Sequence, residues 1–533
     1  MNILHNSPLS RRRFLEGALI APAAISLDLG RPAAAQSNPG QLVIGHTTLR
    51  HLNPAIQSGQ ATGLPGTQIF AGLVRIDENF KPQPYLAESW EIAKDGLSYT
   101  FHLKSGAVFH DGRPIKASDV AFSIGVVKAN HPFGKIMFGP VKEVQTPDDR
   151  TAVIMLDRPQ PAMMQALHPL LMPILPEHVY GVGDIQSNPA NIKTVGSGPF
   201  KYKDYRAGEY LILERNKEYF MEGPHFDELV LKVTQDPLVN VLGLERGEID
   251  YLPFALVKIT EIDRLRKNDK LVVTRDGYEA FGATNYLEFN LRVKPLSDLR
   301  VRQAIAYAID KKFIVEKLLR GEANRLDGPL TASNPFAADK LHIYDLDLER
   351  AKSLLDEAGH KPDASGTRLT FTLEWLPDAN INSQQPVANY LKAQLSKVGI
   401  KINLRPNADF ASYAARVANW QHELLLNGMW NYPDPVIGVH RAYISSNIRH
   451  QIYTNTSGYS NPKVDDILAK AAVEPDFEKR KALYAQFQDI VTEDLPLCWT
   501  NEEPFFTIYR KGLKNPPLTV WGPLAPYDRV SWN

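Results

Sequence analysis

An α/β chain of two or three domains, one of them a small α+β lobe, is what the sequence predicts, on three observations. At 533 residues the chain is longer than one hydrophobic core can organise. Between Pro84 and Ile124, alternating apolar residues, Asp-Gly breaks and a helix start follow one another in close order. From Leu348 to Leu404 a helical pattern alternates twice with a short apolar run, the arrangement of a parallel α/β lobe.

In the small lobe, Trp90 and Ile92, then Tyr99, Phe101 and Leu103, occupy alternate positions on either side of Lys94-Asp95-Gly96. That period predicts two half-buried strands and a turn. Lys104-Ser105-Gly106 and Asp111-Gly112-Arg113-Pro114 are two further breaks around the apolar run Ala107 to Phe109. Ser118 is placed to cap a helix, Asp119 puts a negative charge in its first turn, and Val120, Ile124 and Val127 share a face. Ala152 to Leu156 closes the lobe as a strand before a Pro-rich run from Pro159 to Pro176.

Composition excludes several functions. Apolar content of 44% and charged content of 23% are those of an ordinary globular protein. Sixty basic residues balance 60 acidic ones, so no nucleic-acid or anionic-membrane partner is indicated. The single cysteine, Cys498, excludes an intrachain disulfide and a cysteine-rich metal site. Its neighbours Leu497 and Trp499 predict a buried, inert thiol. No Gly-x-Ser-x-Gly elbow, His-Glu-x-x-His pair or Walker sequence is present. The 14 histidines are scattered, and His102 and His110 fall in the strands and turns of the small lobe. No cofactor and no metal are expected.

At the N-terminus, Arg11-Arg12 followed by Phe14-Leu15 resembles a twin-arginine export signal. A weakly apolar segment runs to about Leu29, interrupted by Pro22 and Asp28, and Ala33-Ala34-Ala35 offers a small-residue cleavage site. An ordinary secretory signal with a chance arginine pair is the other reading, and both place the protein outside the cytoplasm. Removing residues 1–35 takes away Arg11, Arg12, Arg13 and Arg31 against Glu16 and Asp28, so the remainder stays near neutral.

Further along, Leu42-Val43-Ile44 begins a buried strand that leaves as the loop Gly45 to Pro54. Gly196-Ser197-Gly198-Pro199 is a turn before a hairpin that includes Tyr210 to Arg215; Pro199 removes an N–H, which argues against a phosphate cradle. Leu244 to Asp250 reads as a helix end returning to strand, and Phe281 to Leu291 leads into another strand. Ser297 to Gly321 gives two helices, with Asp310 capping the second and Gly321 stopping it. Helices are predicted again at Val464 to Ala472 and Phe477 to Glu493. Glu423 to Leu426 is a short buried strand, and Asn427 to Pro435 is the loop leaving the end where open α/β sheets bind ligands. There Trp430 and Tyr432 either supply apolar area with a polar tip to a ligand or simply pack the lobe.

Three of these stretches together resemble the extracytoplasmic solute-binding proteins of the peptide/nickel class of ABC importers, family 5. They are the aromatic strand, Asp-Gly turn, Leu-Lys, Phe-x-Asp-Gly and Ser-Asp-Val order of residues 84–124, the Gly-Ser-Gly-Pro-Phe turn at 196–200, and Asp298 to Asp310. The resemblance implies a type II periplasmic-binding-protein-like α/β fold: two large α/β lobes with an additional small α+β lobe inserted. Lobe I would comprise 41–63, 186–281 and 497–533, the inserted lobe 64–185, and lobe III 282–496. It further implies capture of a peptide or peptide-like small organic solute by hinge closure and delivery to an inner-membrane ABC permease by a periplasmic, monomeric, non-enzymatic protein cut near Ala35.

In the family the first strand exit lines the ligand cleft, which makes Thr47, Arg50 and His51 candidates; Asn285, Tyr286, Trp430, Asn431, Tyr432 and Asp434 complete the set. The stretch from Trp420 to His440 resembles the family's Gly-Trp-x-x-Asp-x-x-Asp/Glu-Pro segment, whose first Asp receives a peptide's α-ammonium. Asn431 stands at that position, and an amide lacks the carboxylate's charge-assisted bond. The difference favours a ligand without a free amine there, such as a modified peptide, an opine-like compound or a sugar. A nickel–chelate receptor is an alternative within transport, and a secreted hydrolase one outside it.

Replacing Arg11 and Arg12 together by Lys is expected to strand folded precursor in the cytoplasm. Fractionation with an unchanged periplasmic yield would remove the twin-arginine assignment and leave general secretion.

Overall fold

The computed structural model describes residues 40–49, 51–376 and 384–532; residues 1–35, read above as an export signal, and Arg50 lie outside them. Three large sheets organise the chain. A seven-stranded sheet runs in the order Leu271–Thr274, Thr507–Arg510, Tyr251–Leu252, Gln41–His46, Glu228–Val233, Tyr210–Arg215 and Phe200–Arg206. Gln41–His46 lies parallel to both neighbours, and its buried Leu42 and Ile44 alternate with half-exposed Gln41 and Val43.

The second sheet has the order Ile400–Pro406, Leu369–Trp375, Leu424–Met429, Thr284–Phe289 and Leu497–Glu502. Its first three strands are parallel, as helix–strand alternation requires, while Thr284–Phe289 is antiparallel to both neighbours. Leu497–Glu502 therefore belongs to lobe III, and the return to lobe I falls after 502 rather than at 497. The apolar run around Cys498 fits either lobe in sequence; only the ladder to Tyr286, Leu287 and Glu288 assigns it. Cys498 is buried, and burial raises its thiol pKa.

The inserted lobe is a four-stranded antiparallel sheet, Ala87–Ile92, Ser98–Leu103, Thr151–Leu156 and Val141–Asp148. Tyr99, Phe101 and Leu103 are buried as their alternation predicts, but Ala87–Ile92 is an edge strand that leaves Ile92 exposed. The following helix, Ala117–Asn130, starts earlier than a Ser118 cap would place it. Ser118 lies inside it, and the Asp119 carboxylate accepts the Lys116 N–H at 2.8 Å. In lobe III, Asp310 caps the turn Lys311–Phe313 as expected, accepting the Phe313 N–H at 2.9 Å.

The Gly196–Gly198 turn is a joint between lobes. A Cβ on Gly196 would sit 2.1 Å from the Ile69 carbonyl oxygen, and one on Gly198 2.4 Å from that of Gln68. These glycines serve close backbone approach rather than an anion. His110 of the inserted lobe clasps the same turn: its Nδ1 accepts the Gly196 N–H at 3.2 Å and its Nε2 lies 3.1 Å from the Gly198 oxygen. Arg75 of the inserted lobe adds a 2.6 Å ion pair to Asp528 at the other end of the chain. The inserted lobe and much of lobe I thus share one apolar cluster, a second lobe I cluster gathers around Val241, Ile249 and Phe506, and most of lobe III has its own.

His131, at the C-terminus of the Ala117–Asn130 helix, is buried, with Nδ1 accepting the Phe133 N–H at 3.1 Å. Burial lowers its pKa to about 3. Because the folded pKa lies below the unfolded one, the unfolded chain takes up the proton first as pH falls. Stability is lost from about pH 6.5 downward, by at most ~1.4 kcal/mol per pH unit for this group. His131→Leu is expected to show a shallower decline of unfolding free energy between about pH 6.5 and 4 in urea titrations; equal slopes would contradict the assignment.

Candidate ligand-binding site

Chain crossings between lobe I and lobe III run side by side. Residues 281–284 go out, residues 502–506 come back, and the Glu503 N–H donates to the Ala283 oxygen at 3.0 Å. Asn285 Nδ2 donates to Glu503 Oε2 at 2.6 Å, so this predicted ligand contact is engaged in joining the two crossings. Against these paired crossings lies the loop that follows Leu424–Met429. The strand runs past Leu426, so Asn427 to Met429 belong to it, and the loop proper is Trp430 to Asp434. The N–H groups of Asn431 and Tyr432 both donate to the Phe281 carbonyl, at 2.9 and 3.2 Å.

Aromatic rings from all three lobes meet here. Trp430 lies parallel to Phe254 of lobe I at 6.1 Å and edge-on to Phe281 at 5.0 Å, with Phe505 of the return crossing at 6.1 Å. Tyr432, at a positive φ of 58°, presents its ring to Phe133 of the inserted lobe at 5.3 Å and to Trp521 at 6.2 Å. Both loop aromatics thereby bridge lobes. None of Phe133, Phe254, Phe281 or Phe505 was legible as a site residue, because each belongs to a different segment and carries no motif.

The polar residues of the loop have distinct surroundings. Asn431 is 1% exposed; its Nδ2 donates to the Pro329 oxygen and its Oδ1 has no partner. Asp434, expected on the ligand, is committed elsewhere: both oxygens engage Arg480, at 2.6 and 2.7 Å, and one accepts the Val436 N–H at the start of the turn Pro435–Gly438. An acid-Pro pair at a helix start reads as a cap as readily as a ligand group, and Arg480 lies 46 residues away.

Beside the loop, lobe III holds a cavity of about 30 Å³ lined by Tyr286, Tyr413, Asn427, Tyr453 and Thr456, enough for a water or two. Glu288 lies in its wall, accepting from Thr456 Oγ1 at 2.6 Å and Asn427 Nδ2 at 3.2 Å, with His422 Nε2 at 3.3 Å. Burial opposes its charge, but His422 and the two hydrogen bonds prevail and hold its pKa below the usual carboxylate value. Tyr286, a predicted site residue, is thus on this cavity. Thr47 lines a smaller recess of about 10 Å³ in lobe I with His46, Gln60 and Phe254. His46, not legible as a site residue in a run of strand, is buried with Nε2 unpartnered, and burial lowers its pKa to about 4. His51 Nδ1 accepts the Asn53 N–H at 3.3 Å within the exit loop. The structure therefore brings Trp430, Asn431 and Tyr432 together beside the crossings, places Thr47 and Tyr286 on flanking recesses, and ties Asn285 and Asp434 to protein partners.

The family model "Bacterial extracellular solute-binding proteins, family 5 Middle" matches residues 81–449, more than half of the chain. The chain belongs to this family. Among relatives of this family 5 solute-binding protein, heme-binding protein A of Haemophilus influenzae is 28% identical over 83% of each chain. The dipeptide-binding protein of Escherichia coli is 26% identical over 81% of this chain and 83% of the other. The crystal structure of NikZ from Campylobacter jejuni in complex with Ni(L-His) superposes with a TM-score of 0.79 at 26% identity, covering 92% of this chain and 98% of that one. The two-lobed α/β fold with an inserted lobe is that of a type II periplasmic binding protein. No helix among the described residues is long and apolar enough to cross a membrane.

Asp434→Asn would leave Arg480, whose side chain is 4% exposed, with a buried and unpaired charge. The expected cost is ~3–5 kcal/mol of unfolding free energy, read from urea titration. A loss below about 1 kcal/mol would mean that the pair is solvated and Asp434 available to a ligand.

Proposed function

We propose that this solute-binding protein is the periplasmic receptor of an ABC importer, closing its lobes on a peptide-like small organic solute that lacks a free amine at Asn431 and presenting the closed form to an inner-membrane permease. The observation that carries the reading is the convergence of three lobes on one loop beside the paired crossings. Trp430 and Tyr432 reach residues of lobe I and of the inserted lobe from lobe III, so separating the lobes would uncover both aromatics. Rotation about residues 281–284 and 502–506 is the motion that such a pair of strands permits.

Its relatives are named for heme, dipeptides and nickel–histidine, ligands too unlike to choose among by likeness. The residues favour a solute with apolar bulk for the ring cluster and a neutral N–H or O–H donor for the Asn431 Oδ1. A blocked peptide or an opine-like compound has both; a sugar supplies the donors without the bulk. Thr47 and Tyr286 are proposed as contacts from the two sides. Export through the twin-arginine route and cleavage near Ala35 complete the proposal.

Protein isolated from the periplasm and denatured should release its solute for mass spectrometry. Adding that solute back to refolded protein is expected to lower the radius of gyration in small-angle scattering and raise the melting temperature with concentration. Superimposable scattering profiles with and without saturating solute would overturn hinge closure.

A further inference from the structure

Lobe I and lobe III also meet through charge. The helix Ile262–Arg266 belongs to lobe I, where Ile262 and Leu265 are buried with Leu271, Phe506 and Ile508. Residues 319–326 belong to lobe III. There Leu319, Ala323 and Leu326 are buried in its apolar cluster, and the Leu326 N–H donates to the Thr500 oxygen at 3.3 Å along the edge strand Leu497–Glu502. Between those buried residues stand Arg320 and Glu322, which reach across to the helix. Arg266 donates to both oxygens of Glu322, with Nη2 to Oε2 at 2.8 Å, and Arg320 Nη2 donates to Asp263 Oδ2 at 3.0 Å. Arg266 Nη1 also lies 3.9 Å from Asp263 Oδ1, so the four charges form one alternating cluster. Ile259, just ahead of the helix, adds an apolar contact to the lobe III cluster.

A single charge pair on a surface is ordinarily worth little, because water and side-chain entropy compete with it. Two features set this cluster apart. The Glu322 side chain is only 12% exposed and meets the guanidinium fork with both oxygens, a geometry that fixes orientation as well as charge. Arg320 has a φ of 55°, in the left-handed region, directly before Gly321 at 77°. A non-glycine residue is strained there and keeps that conformation only where its surroundings over-determine it. Here the surroundings are Asp263 and the bond from the Gly321 N–H to the Val315 oxygen at 2.9 Å. We propose that Asp263 and Arg266 of lobe I, with Arg320 and Glu322 of lobe III, form an ionic clasp that holds the two lobes together and sets the equilibrium on which solute capture depends.

The clasp is formed in the same arrangement that brings Trp430 of lobe III against Phe254 of lobe I, so it favours lobes in contact over lobes apart. An equilibrium between two such arrangements is a small difference of large terms, and a charge pair of this kind shifts it by about fivefold. Affinity for a solute held between the lobes follows the fraction of protein able to close. None of the four residues lines either recess or belongs to the binding loop. They are therefore positioning residues, which change affinity by one common factor whatever the solute and leave selectivity to the loop. The inference rests on the receptor reading above.

Solute-free protein, refolded after denaturation, is measured by small-angle scattering as wild type, Arg320→Glu, Arg266→Glu and the exchange Asp263→Arg with Arg320→Glu. Each single reversal sets like charges against each other across the lobes. It is expected to lower the ratio of compact to extended forms by about fivefold or more, seen as a larger radius of gyration. The exchange restores opposite charges and should recover most of the wild-type profile, which it would not do if either side chain had only a local structural role. Salt gives a second reading. Raising it from about 0.01 to about 1 M shortens the screening length from about 30 to about 3 Å, which should extend the wild type and compact Arg320→Glu. Profiles unchanged by both reversals, an exchange without recovery, or salt shifts of the same sign in wild type and Arg320→Glu overturn the clasp. If Arg266→Glu does not fold, the exposed pair Asp263–Arg320 decides through its own reversal and exchange. Compaction by the co-purified solute is read separately, so its failure removes the receptor reading and not the clasp, while loss of the clasp leaves the receptor standing.

Discussion

One carbonyl oxygen, that of Phe281, receives the N–H groups of both Asn431 and Tyr432. Buried backbone groups need partners, so the loop leaving Leu424–Met429 is held to the crossing between lobes rather than to its own sheet. Everything that makes this region a candidate site follows from that attachment. Trp430 and Tyr432 project to opposite neighbours, Asn431 is driven into the interior against Pro329, and the φ of 58° at Tyr432 is tolerated because both flanks of the loop are fixed.

Charge placement gives the second layer of organisation. Most interior charges are tied to partners across long sequence distances: Arg480 to Asp434, Arg75 to Asp528, and Arg405 and Arg416 to Glu374. Such pairs add little net stability over apolar packing, yet each is costly to break, so they act as registry points between segments. Arg75–Asp528 fastens the inserted lobe to the chain's last segment, and Arg480–Asp434 sets the start of the turn after the binding loop. Arg302 and Arg441 depart from this pattern, each held by backbone oxygens instead.

The joint between the inserted lobe and lobe I has another physical basis. Gly196 and Gly198 let two backbones approach within distances that any side chain would forbid, and His110 uses both ring nitrogens on the same turn. Beneath it, apolar residues of the inserted lobe and of much of lobe I pack in one cluster, which Tyr432, Val436 and Ile437 of lobe III also join.

By itself the sequence determined what depends on local order: strand and helix periods, the turns at Asp95-Gly96 and Gly196–Gly198, the cap at Asp310, and the family signature carried by contiguous residues. It also located the loop around Trp430, because a polar-aromatic stretch leaving a buried strand is a local signal. It misplaced Ser118 as a cap, since the Asp119 carboxylate takes the Lys116 N–H from inside the helix. Only the tertiary structure decided which lobe owns Leu497–Glu502, for ladder partners are long-range and an apolar run is silent about them. It alone showed Asp434 occupied by Arg480, Asn285 by Glu503, and Arg441 set among backbone oxygens and aromatic rings. A side chain's availability to a ligand is set by what the fold brings beside it, and the partners of Asp434 and Asn285 lie far along the chain from them.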